Sequence, residues 1–295
     1  MSFLYINSQP IVFGGFQHTF EDSRFIVVGV PYDGTTTFRA GARFAPESIR
    51  RVSGNMETYS LRANLDLEDV KIHDLGNVLC IHGDHNVTLK RIESVVSDLI
   101  SQNKTPVIIG GEHSITYASV KACCAEVVIS FDAHADMRDQ YPLGLTNTHA
   151  TVMRRLSELL GPKNIIEIGV RGLCKEELNY LKKSGILYFT PKHLKTLTVY
   201  EITKLIQSHI SRVNRVYISI DVDVLDPAIA PGVSNPEPEG LTVTTLLDIV
   251  EEIVPNKVVG FDVVEVCPPY DLNETTSIQA AHIIFETIAL LSKKT

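Results

Sequence analysis

Three side chains of metal-ligand type stand at alternate positions in Asp132-Ala-His134-Ala-Asp136, directly after the apolar run Val127 to Phe131. Residues two apart in extended chain share a face, so this spacing lets all three point into one cavity. A second pair, Asp221 and Asp223, follows the run Val216 to Ile220, with Asp226 a turn later. His113 lies in Gly110-Gly-Glu-His-Ser114, a tight turn after Val107 to Ile109 that puts the imidazole at a helix start. Singly, each residue has an ordinary reading. A strand-end Asp such as Asp226 caps helices or closes turns, and a lone His such as His113 is commonly a hydrogen-bonded structural residue. Gathered at one sheet edge, four aspartates and two histidines would suffer repulsion and lost hydration that cations relieve.

Four carboxylates and two imidazoles exceed what one ion needs, and they suit two ions if an Asp from each cluster bridges them. Oxygen-rich ligation with some imidazole and no thiolate favours Mn²⁺ over Zn²⁺, with Co²⁺, Fe²⁺ and Mg²⁺ as alternatives. Two such ions about 3.5 Å apart lower the pKa of a shared water and make hydroxide available near neutral pH. The chemistry so implied is hydrolysis.

Alternating elements must position these groups. Short β-branched runs at Phe25–Val30, Val70–Ile72, Thr105–Ile109, Val127–Phe131, Ile165–Ile168, Ile186–Phe189, Val216–Ile220 and Val258–Phe261 read as buried strands. Amphipathic stretches of helical length lie between most of them, at Asn86–Gln102, Thr148–Leu160, Val199–Arg212, Thr242–Val254 and Ser277–Leu291. The alternation predicts an α/β fold, three-layer α/β/α, with a mostly parallel central sheet of about eight strands. In such sheets ligands gather beyond the carboxyl ends of the strands, where the candidate residues fall. The Pro/Gly-rich segment Asp226–Gly240 predicts a long functional loop. With no repeat, low-complexity tract or linker, residues 1–295 are expected to form a single domain.

Bulk composition narrows the partners. A net charge of −8 and no basic block longer than a pair argue against a nucleic-acid surface. The small substrate is expected to be cationic or neutral. Five scattered cysteines without a Cys-x-x-Cys pair suggest a reduced, cytoplasmic protein. The start, Met1-Ser-Phe-Leu-Tyr-Ile-Asn7, has no basic, apolar leader pattern, and about 18 consecutive apolar residues occur nowhere, so no membrane role is expected.

Gly110-Gly-Glu-His-Ser114, Ser130-Phe-Asp-Ala-His-Ala-Asp136 and Ser219-Ile-Asp-Val-Asp-Val-Leu-Asp-Pro-Ala-Ile-Ala-Pro-Gly232 resemble the three signature segments of the ureohydrolases, the arginase and agmatinase family. The resemblance runs from Gly29-Val-Pro-Tyr-Asp-Gly-Thr-Thr36 and Arg39-Ala-Gly-Ala-Arg-Phe-Ala-Pro46 to Val264-Glu-Val-Cys-Pro-Pro-Tyr-Asp271, nearly the whole chain. It implies an arginase-like fold and a dinuclear manganese site. One ion would be held by His113, Asp132, Asp136 and Asp221, and the other by His134, Asp132, Asp221 and Asp223. A metal-bridging hydroxide would then attack a guanidinium carbon, with Asp136 orienting it and shuttling its proton. The resemblance also implies homotrimers or homohexamers.

A guanidinium is a weak electrophile, so it needs a positioned nucleophile and a carboxylate to fix its plane. Glu265, just beyond Val258–Phe261, matches the family's guanidinium-binding glutamate. His149 matches its loop histidine, suited either to protonate the leaving amine or to orient substrate. Its segment, Asn147-Thr-His-Ala-Thr151, departs from the His-Gly form of many relatives. Arginases read the amino-acid end of their substrate with Asn, Thr and Ser, where this chain has Arg138, Leu143 and Leu145. Leucines cannot supply those hydrogen bonds, so agmatine becomes the expected substrate, giving putrescine and urea in polyamine synthesis. Guanidinobutyrase, arginase and formimidoylglutamase activities are the alternatives within the family. Arg138 either pairs with a substrate carboxylate or with Asp139 or another acidic neighbour. An idle binding protein of this fold would be expected to lack one of the six ligands, and none is lost. A hydrolase of acetylated amines would leave Glu265 without its role.

Overall fold

The computed structural model describes residues 2–253 and 257–293, so Met1 and the last residue of the expected helix Thr242–Val254 lie outside the described residues. Its strands are β1 (Ile6–Asn7), β2 (Phe25–Gly29), β3 (Tyr59–Ser60), β4 (Leu65–Asp66), β5 (Ile72–Val78), β6 (Thr105–Ile109), β7 (Val127–Phe131), β8 (Ile165–Ile168), β9 (Leu187–Phe189), β10 (Val216–Asp221) and β11 (Val258–Val264). Nine of them form one sheet in the order β1-β5-β2-β6-β11-β10-β7-β8-β9, and β3 pairs with β4 alone. Every pairing in the large sheet is parallel except β1 with β5. The sheet is thus one short antiparallel edge strand larger than expected.

The helices are α1 (Ala45–Ser53), α2 (His85–Ser101), α3 (Thr116–Ala122), α4 (Val152–Leu160), α5 (Lys175–Ser184), α6 (Pro191–Thr196), α7 (Val199–Ile210), α8 (Val243–Ile253) and α9 (Thr275–Lys293). Helices α1, α7, α8 and α9 cover one face, with Ile49, Ile206, Leu246 and Ile284 packed against Ile129 and Ile218. Helices α2 to α5 cover the other, with Ile92, Val120, Met153 and Leu181 packed against Val128 and Ile108. Strands β2, β6, β7 and β10 are buried at every position, because both faces are covered. No described helix is long and apolar enough to cross a membrane.

Two boundaries differ from the sequence expectation for a physical reason. The run Val70–Ile72 only opens β5, which continues through polar residues to Val78 with alternating burial. Its Asp74 is buried because Arg50 of α1 reaches it through Nε (2.7 Å) and Nη2 (2.9 Å), while Arg50 Nη1 meets Asn77 Oδ1 (2.6 Å). The run Val258–Phe261 likewise continues to Val264, because hydroxyls satisfy the buried Asp262 inside it. Glu265 therefore follows the strand directly.

The Arg50–Asp74 pair is almost fully buried on both sides. Asp74→Ala leaves a guanidinium uncompensated and is expected to cost about 3–5 kcal/mol in denaturant-monitored stability. A loss below about 1 kcal/mol would show that the pair does not hold α1 to the sheet.

Candidate metal centre and active site

His113, Asp132, Asp221 and Glu265 stand at the carboxyl ends of β6, β7, β10 and β11, four adjacent strands. The bend after β6 needs Gly111, where a Cβ would lie 1.8 Å from the Tyr32 carbonyl oxygen. His113 then opens a short 3₁₀ turn, His113–Ile115, as the sequence suggested.

The His113 Nδ1 atom lies 3.1 Å from Asp132 Oδ2, 3.1 Å from Asp136 Oδ2 and 3.5 Å from Asp221 Oδ2. His134 Nδ1 lies 2.9 Å from Asp223 Oδ2 and 3.7 Å from Asp132 Oδ1. Two sets of ligand atoms result, His113/Asp132/Asp221 and Asp132/His134/Asp223, each with its atoms within 4.8 Å of one another. Asp132 belongs to both sets and Asp221 only to the first. Five of the six expected ligands fall in these sets, and Asp136, in neither, lies beside the first through His113, though no shared strand face gathers them. Strand β7 stops at Phe131, and Asp136 returns to His113 through a left-handed backbone (φ 47°). Asp223 sits in the 3₁₀ turn Val222–Val224, its backbone N–H donating to Asp221 Oδ1. Asp226 takes its ordinary role, accepting from the Ala228 and Gly240 N–H groups and clasping the Asp226–Gly240 loop.

The donor set fits divalent ions. His113 Nδ1 and Asp132 Oδ2 are buried, close, and without a hydrogen-bond partner, so their lone pairs converge on a shared point instead of joining each other. The opposite edge of His113 explains its tautomer. Nε2 lies 3.1 Å from Ser219 Oγ, whose own proton goes to Asp262 Oδ1 (2.6 Å), so Nε2–H must donate, and in the neutral ring that binds a metal Nδ1 carries the lone pair. Asp262 also accepts from Thr116 and Tyr217 hydroxyls.

Proton affinities report the same demand for positive charge. Burial, then the Asp223 and Asp132 charges, push Asp221 well above its ordinary value, and burial with Asp132 pushes Asp136 up to about 7. Burial opposes charging His113, yet Asp132 and Asp136 outweigh it and raise its pKa well above the usual imidazole range. Protons here stand where cations would.

A cavity of about 320 Å³ opens onto this centre, and Asp136, His149, Asp221, Asp223 and Glu265 line its inner part. Glu265, left-handed at φ 66°, accepts the His113 backbone N–H on Oε1 (2.7 Å) while Oε2 has no partner. Burial lifts its carboxyl to about 8. His149 begins the 3₁₀ turn His149–Thr151, in which Thr151 Oγ1 accepts the Thr148 N–H. Its ring lies between Thr35 Oγ1 (3.4 Å from Nδ1) and Thr37 Oγ1 (3.2 Å from Nε2). Burial, then the charge of His134, lower its pKa to about 4, so the imidazole is neutral at pH 7.

Arg138 lies 3.7 Å from Glu177 Oε2 and stacks on Tyr141, whereas Asp139 pairs with Arg155. Its partner is therefore an acidic residue of α5 and not its sequence neighbour. Leu143 and Leu145 point outward, at 95% and 52% exposure. Sequence reasoning gave no role to Ser219, Asp262, Thr35 or Glu112. The fully buried Glu112 accepts from Thr35, Thr36 and Ser114 and so holds the loop against His149. Its only sequence signal was a place inside the quoted Gly-Gly-Glu-His-Ser segment.

A sequence model of the arginase family matches residues 23–289. The chain belongs to the arginase family. It is therefore a ureohydrolase, a hydrolase of linear amidine C–N bonds, within a family of binuclear metal enzymes. Curated relatives include an agmatinase of Bacillus cereus, 36% identical over 92% of both chains. The N(1)-aminopropylagmatine ureohydrolase of Thermococcus kodakarensis is also 36% identical over 92% of both. The agmatine ureohydrolase of Thermoplasma volcanium superposes with a TM-score of 0.88 at 35% identity, covering 98% of this chain and 96% of its own.

Two predictions follow from the centre's charge. Without metal, Asp136 and Glu265 keep protons in the fold that the unfolded chain has released, so stability falls as pH rises from about 4 through about 8. Saturating Mn²⁺ should remove that fall, with apparent affinity rising over the same window as protons are displaced; melts in chelator that stay flat from pH 6.5 to 8 would contradict the scheme. Ser219→Ala frees the His113 ring and should weaken metal binding roughly 10- to 100-fold by titration.

Proposed function

We propose that this ureohydrolase hydrolyses agmatine to putrescine and urea, using two Mn²⁺ per subunit. One ion is held by His113, Asp132, Asp136 and Asp221, the other by His134, Asp132, Asp221 and Asp223. The observation that carries the reading is the buried carboxylate of Glu265, a residue lining the same cavity as His134, Asp221 and Asp223 of the two ligand sets. Mixed carboxylate and imidazole donors without thiolate support manganese. Agmatine is supported by a loop whose Leu143 and Leu145 face outward and supply no hydrogen bond to an amino-acid head group, and whose Arg138 lies 3.7 Å from Glu177. The 36% identity to curated agmatinases supports it as well, and the equal identity to the aminopropylagmatine enzyme keeps that longer amine in the test.

Paired divalent ions, when bound, lower the pKa of water enough to supply the nucleophile near neutral pH. The chain's residues do the rest. Glu265 accepts the guanidinium N–H donors on Oε2 and fixes the plane of the electrophile. Asp136 takes the proton of the attacking water. His149, neutral at pH 7, relays the proton that Asp136 takes from the water to the departing amine, and gives it up readily because burial disfavours its charged form. The balance is guanidinium plus water giving urea and ammonium-bearing amine.

The five free thiols support a cytoplasmic setting, and the family match across residues 23–289 supports a single ureohydrolase domain. Family resemblance is the support for a homotrimer or homohexamer, read by light scattering.

After Mn²⁺ loading, urea release should be greatest per unit kcat/KM for agmatine among agmatine, arginine, 4-guanidinobutyrate and N1-aminopropylagmatine. Urea from arginine but not agmatine would sink the substrate. Asp132→Asn should abolish metal content and activity together, whereas His149→Ala should lower kcat by roughly 10²–10⁴ with metal content intact; an unchanged rate would remove His149 from proton transfer.

A further inference from the structure

The carboxylates around the cavity carry unequal commitments. Asp136, Asp221 and Asp223 face the imidazoles, and Glu265 faces the guanidinium position. Glu177 is consumed within the protein: it accepts the Met137 N–H (3.1 Å) and the Cys174 N–H (2.8 Å) and lies 3.7 Å from Arg138 Nε. Glu237 differs from all of them. Its side chain lines the cavity at 40% exposure, and among the described residues no Lys or Arg lies within ion-pair distance of it. Its one titratable neighbour at that range is His134, whose Nε2 is 3.8 Å from Oε1.

The position is also rigid. Arg171 donates to the Glu237 carbonyl (2.8 Å) and the Pro238 carbonyl (2.8 Å), with further bonds to the Asp223 and Val224 carbonyls. Its guanidinium is spent on backbone, so it anchors Glu237 without capping the carboxylate. Gly172 lets this packing close up, since a Cβ there would lie 3.0 Å from Glu237 Cγ and 2.8 Å from His134 Cδ2. The result is a carboxylate on an anchored backbone at the open rim of a cavity that Glu265 also lines.

We propose that Glu237 binds the ammonium at the far end of the substrate and makes the enzyme selective for ω-aminoalkylguanidines over guanidino acids. This rests on the agmatine reading above. A dication with one charge at each end meets Glu265 at the buried end and Glu237 at the rim. A guanidino acid instead brings its carboxylate against Glu237, where like charges and lost hydration penalise it. Arg138, the cation on the same wall, is engaged by Glu177 and the Tyr141 ring and does not reverse that preference.

Glu237 could act otherwise by receiving the His134 Nε2 proton and orienting that ring, an effect felt equally by every substrate. The kinetic design separates the two. Steady-state urea release by the Mn²⁺-loaded full chain is measured with agmatine, n-butylguanidine (neutral tail) and 4-guanidinobutyrate (anionic tail), for wild type, Glu237→Gln and Glu237→Asp. Glu237→Gln should reduce the agmatine-to-butylguanidine ratio of kcat/KM roughly 10- to 100-fold, chiefly through the KM for agmatine, and raise the relative rate on 4-guanidinobutyrate. Glu237→Asp should retain part of the agmatine preference. A ratio unchanged in both variants, with wild type still preferring agmatine, overturns Glu237 as the tail acceptor and leaves the agmatine reading standing. Wild type preferring 4-guanidinobutyrate overturns both.

Discussion

Buried negative charge at the carboxyl edge of the sheet is the constraint around which the rest is arranged. Asp132, Asp136, Asp221 and Asp223 are all nearly inaccessible, and a low-dielectric interior cannot keep four carboxylates ionised without positive charge among them. Metal ions meet that need in a family of binuclear metal enzymes, and protons meet it in their absence. The polar layer extends two residues deeper into the sheet. Ser130, Ser219 and Asp262 are in register across β7, β10 and β11, directly below the ligand row, and Glu167 of β8 continues the line. Asp262 is satisfied by three hydroxyls, whereas both Glu167 oxygens lack a partner and burial, with the charge of Asp132, pushes that carboxyl's pKa well above the usual carboxylate range. Apolar residues would pack this layer more favourably. Its polar members serve the row above them, most directly where Ser219 fixes the His113 tautomer.

Asp136 and Glu265, the carboxylates proposed to act on water and guanidinium, sit in left-handed backbone. Asp tolerates that conformation; Glu does so at a cost of order 1–3 kcal/mol. The surrounding bonds hold both in place: Glu265 donates its N–H to Gly111 and receives that of His113, and Arg154 donates to the Asp136 carbonyl. Both residues thus leave the strand direction through left-handed backbone and line a common cavity. The same logic ties the Thr35–Thr37 loop to Glu112, so one buried carboxylate sets the surroundings of His149 although it touches neither ligand set's imidazole.

The sequence by itself determined the alternating α/β order, most strand positions and the six ligand-type residues, because buried parallel strands are continuous apolar runs and ligand residues cluster at their ends. Polar strand segments were illegible for the complementary reason: β5 and the last turn of β11 are stabilised by Arg50 on Asp74 and by hydroxyls on Asp262, partners 24 and up to 146 residues away. The face-sharing argument for Asp132, His134 and Asp136 assumed a strand that stops at Phe131; a bend at Ala133, a bridge from His134 to Gly172 and the left-handed backbone of Asp136 place the three side chains instead. Only the tertiary structure decided which charges remain free. Arg138 and Glu237 look equally available in sequence. In the fold, Glu177 and Tyr141 engage the first, while Arg171 pins only the backbone of the second and leaves its carboxylate facing the cavity.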